Sequence, residues 1–332
     1  MKYKKTFFIL FLYAATITVC AYWNIIYFSK TPKNIANNAE KVLLIKKGTS
    51  FNAAADMLYQ NGLIENGFKM KLFVKLKGKV NIKAGEYVLS ASMTPVHILE
   101  MLEKGKVKLY KFTIPEGLNI KEIAIIFANE NFCSEKDFVA AAMDKNFTQS
   151  LNIKADTLEG YIFPDTYFFP KGLSCKDLIS VAVKNFLKIF KEDWKKKAKQ
   201  IGFTVHQVLT LASIIEKETM DAKERALVSS VFHNRLKIDM KLQSDPTSIY
   251  GIDNFYGNIK KEDLKRKTPY NTYKIKGLPP GPITNPGEAA IYAALFPANT
   301  KYYFFVAKNN GTHKFSKTFE EHILAVRKFR LR

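Results

Sequence analysis

The chain has 332 residues, of which 47% are hydrophobic and 25% charged, enough to bury a core in one large domain or two ordinary ones. Its 16 Gly and 12 Pro form no long low-complexity run, which excludes a disordered or fibrous chain. The formal net charge of +22 suggests a polyanionic partner, with an anionic membrane surface ahead of nucleic acid; a Lys-, Asn-, Ile- and Phe-rich composition gives the same charge with no partner at all.

At the start, Lys2, Lys4 and Lys5 precede an uncharged stretch from Thr6 to Phe28. A membrane-spanning helix needs about 20 mainly apolar residues. Tyr22, Trp23 and Tyr27 stand near the far end, where aromatic rings prefer the interface. No small-x-small cleavage site follows, so the stretch reads as an uncleaved anchor and not a signal peptide. The basic start places a short tail, residues 1–5, in the cytoplasm and the bulk outside, although Lys30 and Lys33 weaken the asymmetry. Cys20 lacks the small preceding residue of a lipoprotein signal, since Ile17, Thr18 and Val19 lead into it.

Residues 29–40 are polar and read as a linker. Residues 41–107 read as a small α/β module. Val42–Ile45 is strand-like, Ser50 opens a helix that ends at Asn61-Gly62, and a second helical run covers Phe68–Leu76. Gly85–Leu89 is a second strand, and Thr94-Pro95 starts a helix closed by Gly105.

The remainder, 108–332, opens with a strand near Lys108–Ile114 and a helix from Ile120. Helices continue to about Met143, return over Lys176–Gln200, and start again at Val205. The end reads as a hairpin, Tyr302–Val306 with Thr312–Phe315, around Asn309-Asn310-Gly311. The class is α+β with helices in the majority. Three cysteines, Cys20, Cys133 and Cys175, give no disulfide framework and read as ordinary thiols. Five scattered histidines supply no metal-binding pair.

The chemistry concentrates in Leu209–Thr219, an apolar helix that runs into two carboxylates, Glu216 and Glu218. At ~100° per residue they point ~160–200° apart, so they do not form a close pair. Glu218 has Ile214 and Ile215 a turn behind it, whereas Glu216 has the smaller Ala212 and Ser213. Glu218 is therefore expected to be the more desolvated, with a raised pKa suited to donating a proton. Beyond it lie loops dense in amides, hydroxyls and tyrosines, the mixture that binds sugars.

Six motifs, LASIIEKET, NRL, LQSDPTSIYG, TPYNTY, GLPPGPITNPG and EGYIFPDTY, together resemble the endolytic murein transglycosylases, the YceG-like family. The resemblance runs from about residue 40 to the end and implies a LysM-like module at 41–107 ahead of a catalytic domain at 108–332. It implies a bacterial inner-membrane protein facing the periplasm or outer wall space. The implied reaction cleaves the β-1,4 bond between N-acetylmuramic acid and N-acetylglucosamine in nascent strands. Glu218, the second Glu of EKET, maps to the catalytic acid and base, and a 1,6-anhydro product requires no cofactor, metal or second carboxylate. Gln243, Asp245, Tyr270 and Asn271 are the candidates for holding the sugars, with Tyr161 and Asp165 behind them. The implied partners are peptidoglycan strands and the peptidoglycan synthesis machinery, with no nucleic acid. Two other readings are a water-using muramidase, with Glu216 or Asp245 as its second carboxylate ~5–10 Å away, and a wall-binding scaffold without catalysis.

Overall fold

A computed structural model describes residues 2–219, 221–252, 255, 257–308 and 310–330. The described residues form a mixed α+β structure, mostly helical, with short antiparallel strand pairs. The chain divides into two compact units, residues 1–110 with 168–172, and residues 111–167 with 173–332.

The first unit opens with helix α1 (Lys2–Lys30). It is exposed from Lys5 through Asn24, a length of roughly 30 Å at ~1.5 Å per residue, with a mean hydropathy of 1.8 over its most apolar window. The last turn behaves differently. Phe28 and Ser29 are buried and Ile25 packs on the core of the unit. The helix thus runs past the expected end of the span, and its final turn belongs to the folded module. Residues 31–40 carry no regular element, and the Asn34 N–H donates to the Ala91 carbonyl at 2.9 Å, which ties this stretch down.

Strand β1 (Lys41–Ile45), helices α2 (Phe51–Gln60) and α3 (Gly67–Lys77), and strand β2 (Gly85–Leu89) follow in β-α-α-β order, with Lys41 opposite Leu89 and Ile45 opposite Gly85. Caps set the boundaries. Ser50 accepts from the Ala53 N–H, Asn66 from Lys69, and Thr94 from His97 ahead of α4 (Pro95–Lys104). Gly105 ends α4 in the left-handed region at φ 70°. Leu43, Ile45, Leu58, Met70, Phe73, Tyr87, Leu89, Ile98 and Leu102 fill the core between them.

The division between units falls within β3 (Tyr110–Thr113) and again within β4 (Thr166–Phe169). The second unit contains α5 (Ile120–Asn129), α6 (Glu135–Ala142), α7 (Lys145–Ser150), α8 (Cys175–Ile189) and α9 (Glu192–Gln200). The helices expected over 176–200 are two, divided at Phe190-Lys191, where Lys191 adopts the extended backbone of an N-cap. Helix α10 (Val205–Glu218) is the central one: every residue from Val208 to Ile215 is buried. It packs against α11 (Arg225–Lys237), α12 (Asp245–Ile249) and α13 (Glu288–Leu295). A hairpin of β5 (Phe304–Ala307) and β6 (His313–Ser316), paired from Phe304↔Ser316 to Ala307↔His313, precedes α14 (Phe319–Arg330). Asn309, in the expected turn, lies outside the described residues.

One expectation is overturned. Cys133 and Cys175 are joined in a disulfide, with Cα atoms 5.5 Å apart, and are not ordinary thiols. The odd cysteine count arises because Cys20 sits apart on the exposed span of α1. The bond links the turn before α6 to the first residue of α8 and closes a 42-residue separation. Reduction, or Cys175→Ser, is therefore expected to lower unfolding stability by about 2–4 kcal/mol, read as a shift of the denaturant midpoint with and without reductant.

Candidate active site

Helix α10 is buried on every side from Val208 to Ile215, as a core helix is. Its two terminal carboxylates then splay as the helical period requires. Glu216 turns into a structural pocket, where it accepts from the Gly287 N–H at 2.8 Å and from the Arg225 guanidinium at 3.1 Å. Glu218, the final residue of the helix, turns toward the loop that follows α11, and the Ser244 hydroxyl donates to its Oε1 in a short hydrogen bond. Part of Glu218 reaches the surface, but its carboxyl group is packed among protein atoms.

Burial pushes the Glu218 carboxyl up to about 7, and the charge of Asp245 adds to the rise. The Ser244 bond and the Arg235 cation act in the opposite direction and do not overcome it. The carboxyl thus sits where protonated and ionised forms are both available near neutrality. Its place at the helix C-terminus, the negative end of the macrodipole, favours the protonated form as well.

Three motif loops hold this arrangement by hydrogen bonds to one another. Arg235 in NRL donates to the carbonyls of Leu242 at 2.7 Å and Tyr303 at 2.6 Å, while Asn234 donates to those of Thr300 and Tyr302. Thr272 accepts from the Ser244 N–H at 2.9 Å, its hydroxyl lies 2.8 Å from that of Thr247, and its own N–H donates to Thr247. The rotamer that aims Ser244 at Glu218 is therefore fixed from behind.

The candidate sugar-binding residues fall in different places. Asp245 lies beside Glu218 and accepts from the Tyr273 hydroxyl at 2.5 Å. Gln243, next in the same loop, is exposed and holds a positive φ of 50°. Tyr270 packs on Tyr250 with ring centroids 4.5 Å apart and planes tilted by 45°. Asn271 is fully buried, and its amide is spent within its own loop: it donates to the Leu264 and Arg266 carbonyls and accepts from the Tyr273 N–H. Tyr161 is a core residue whose hydroxyl lies 2.9 Å from Nδ1 of His206. His206 and Glu218 stand near opposite ends of α10, about 18 Å apart at ~1.5 Å per residue. Asp165 is exposed and accepts from the Asn185 amide at 2.8 Å. The structure thus gathers Ser244 and Asp245 around Glu218 and leaves Tyr161 and Asp165 elsewhere.

Glu159 is a residue that sequence reasoning passed over. It is buried, and it accepts from the Ile120 N–H that opens α5, from the Asn285 amide and from the Tyr250 hydroxyl. Asn285 also accepts from the Ile162 N–H and donates to the Leu118 carbonyl. EGYIFPDTY and GLPPGPITNPG are thus bound together through one carboxyl group. Gly160 between them has φ 85°, and a side chain there would overlap the Pro282 ring. The available signal was a Glu beside a Gly inside an aromatic run, which marks a buried turn.

A groove of about 880 Å³ opens beside the end of α10. Lys217, Pro246, Ile249, Tyr250 and Ile283 line one side, and Lys121, Ile125, Lys136 and Val139 of α5 and α6 the other. Among the described residues no cluster of His, Cys, Asp or Glu could hold a metal ion.

The YceG-like family model matches residues 43–328. An endolytic murein transglycosylase of Bacillus subtilis (strain 168) is 36% identical over 302 residues, spanning 86% of this chain and 83% of the relative. One of Streptococcus pneumoniae (strain ATCC BAA-255 / R6) is 30% identical over 96% of this chain, which spans 64% of that longer relative. A crystal structure of a yceG-like protein from Listeria monocytogenes matches with a TM-score of 0.60 and 33% identity, covering 86% of this chain and 99% of that one.

Burial pushes the Glu159 carboxyl up to about 8 against three donors. A carboxyl whose folded pKa is raised holds its proton longer when folded, so the stability Glu159 contributes is full below about 4.5 and is lost as pH rises toward 8. Glu159→Gln is expected to make the fall of stability over that range shallower, leaving the part that Glu218 contributes, checked by urea unfolding across the same range.

Proposed function

The chain belongs to the YceG-like family, and from that membership we propose that it is an endolytic murein transglycosylase with Glu218 as its single acid and base. The observation that carries the reading is a desolvated carboxyl at the end of a buried helix, poised at about 7 and held by Ser244.

In the proposed reaction, protonated Glu218 donates its proton to the oxygen linking N-acetylmuramic acid to N-acetylglucosamine. The C1–O4 bond breaks as positive charge develops at the anomeric carbon. The C6 hydroxyl of the same muramic acid then forms the O6–C1 bond, and its proton passes to Glu218. The acid is regenerated, no water is consumed and the new end is a 1,6-anhydro ring. A pKa near 7 suits both halves, because one group must give a proton and then take one. The exposed Gln243 and the Tyr250–Tyr270 pair offer an amide and two aromatic faces to the sugars.

Asp245 beside Glu218 is the observation that favours a second reading, a water-using muramidase in which it activates the nucleophile. Glu216 is unsuited to that role, since Arg225 and the Gly287 N–H already hold it.

The placement is proposed as a single-pass inner-membrane protein with this unit outside the cytoplasm. Two features support it: the exposed apolar length of α1, and the Cys133–Cys175 disulfide, a bond that persists in oxidising compartments. The β-α-α-β unit of residues 41–89 has the element order of a LysM-like module, proposed here as an accessory to glycan binding.

Glu218→Gln is expected to lower strand cleavage by roughly 10²–10⁴-fold with the fold retained. Mass spectrometry of digested peptidoglycan should show 1,6-anhydro ends from the wild type only, whereas reducing ends would establish the muramidase. Removing the Ser244 hydroxyl takes away a bond that lowers the Glu218 pKa. In Ser244→Ala the alkaline limb of the pH–rate profile, where Glu218 loses its proton, is therefore expected to move to higher pH.

A further inference from the structure

Helix α3 has two apolar sides, and the unit covers only one. Met70, Phe73 and Val74 are buried in the module core. At ~100° per residue, Phe68, Leu72 and Leu76 line the other side, with Lys75 among them and Lys69 at its edge. Phe68 is 67% and Leu76 53% exposed. No acidic residue lies on α3. Lys71 and Lys77 are paired with Asp56 and Glu103, which leaves Lys69 and Lys75 to flank the outer stripe.

The position of this stripe identifies its cover. Helix α1 packs against α3, and the Lys69 ammonium stands 6.0 Å from the centroid of the Phe28 ring. Phe28 is in the last turn of α1, directly after the exposed apolar length. Phe28 and Ser29 of that turn are buried in the module, which fixes the module to the point where α1 would leave the bilayer. Tyr27 and Ile35, at the same junction, are 71% and 78% exposed. Exposed Phe and Leu side chains bordered by lysines suit a membrane interface, the rings and branched chains toward the acyl boundary and the ammonium groups toward the headgroups. Such a stripe is costly in open water.

We propose that α3 lies in the headgroup layer of the membrane that α1 crosses, with Phe68, Leu72 and Leu76 at the acyl boundary and Lys69 and Lys75 on anionic phospholipid headgroups. This rests on the reading of α1 as a spanning anchor. Docking of this kind would hold the module against the membrane on two sides, through α1 and through α3.

The test uses the full chain carrying Cys20→Ser, reconstituted in vesicles of phosphatidylcholine with or without phosphatidylglycerol. An environment-sensitive dye is placed at Phe68→Cys, at Leu76→Cys, or at Lys47→Cys in the exposed turn before α2. Lipids carrying a quencher near the headgroup should quench the dye at 68 and 76 and spare it at 47 when phosphatidylglycerol is present. Lys69→Gln and Lys75→Gln should each weaken that docking about fivefold. Dyes at 68 and 76 as solvent-exposed as the one at 47, in a chain that stays with the vesicles through an alkaline wash, would overturn the docking and leave the anchor intact. Quenching indifferent to both phosphatidylglycerol and lysine charge would overturn the anionic headgroup. A chain washed off the vesicles would overturn the anchor and the docking with it.

Discussion

The second unit depends on the burial of α10. A helix buried on all sides through its middle can exist only where other elements surround it, and α11, α12 and α13 do so. That enclosure ends at the last turn, where a carboxylate can be half-enclosed. The apolar run desolvates Glu218, and the loop after α11 reaches in to meet it through Ser244. The arrangement of the loops follows from this. Thr272, Thr247 and Arg235 bond to the segment 242–247 rather than to Glu218, and their effect on the carboxyl runs through the backbone they fix.

Two buried glutamates show how context separates chemistry from architecture. Glu159 accepts from the first N–H of α5, at the positive end of that helix, and is ringed by three donors. Three donors from three segments meet on it, which suits a joint between segments. Glu218 stands at the negative end of its own helix with, among the described residues, one side-chain donor, Ser244. It keeps the capacity to exchange a proton with something that arrives. Burial raises both pKa values, so the raised pKa alone would not distinguish them; the number and kind of partners does.

Much of this was legible in the sequence where the cause is local. The starts at Ser50 and Thr94 lie beside the helices they open, and the closing role of Gly105 follows from its freedom at positive φ. The splaying of Glu216 and Glu218 is a consequence of helical period, and so is the preference for Glu218. What escaped is non-local. Cys133 and Cys175 are far apart in the chain, and parity hid them because the third cysteine lies on α1. Glu159 was overlooked for its neighbours Tyr161 and Asp165, since nothing in EGYIFPDTY announces that its carboxyl meets Asn285 from a distant loop. Asn271 was weighed as a sugar ligand because an amide in a loop looks the same whether it faces solvent or its own backbone.

That last ambiguity has a physical resolution. A polar loop residue can bind substrate only with hydrogen-bonding capacity that the fold has not consumed. Asn271 and Asn285 have used their amides, and Thr272 and Thr247 their hydroxyls. Gln243 differs from all four. Its side chain is exposed, while its backbone N–H is tied to the Thr272 carbonyl and its φ of 50° lies in the left-handed region that a non-glycine residue enters at a cost. The neighbouring hydrogen bonds hold that conformation in place, and it keeps Gln243 out of the loop's internal network and directly beside Ser244. On hydrogen-bonding grounds, Gln243 is the residue of the motif loops best placed to offer an uncommitted amide next to the proposed acid.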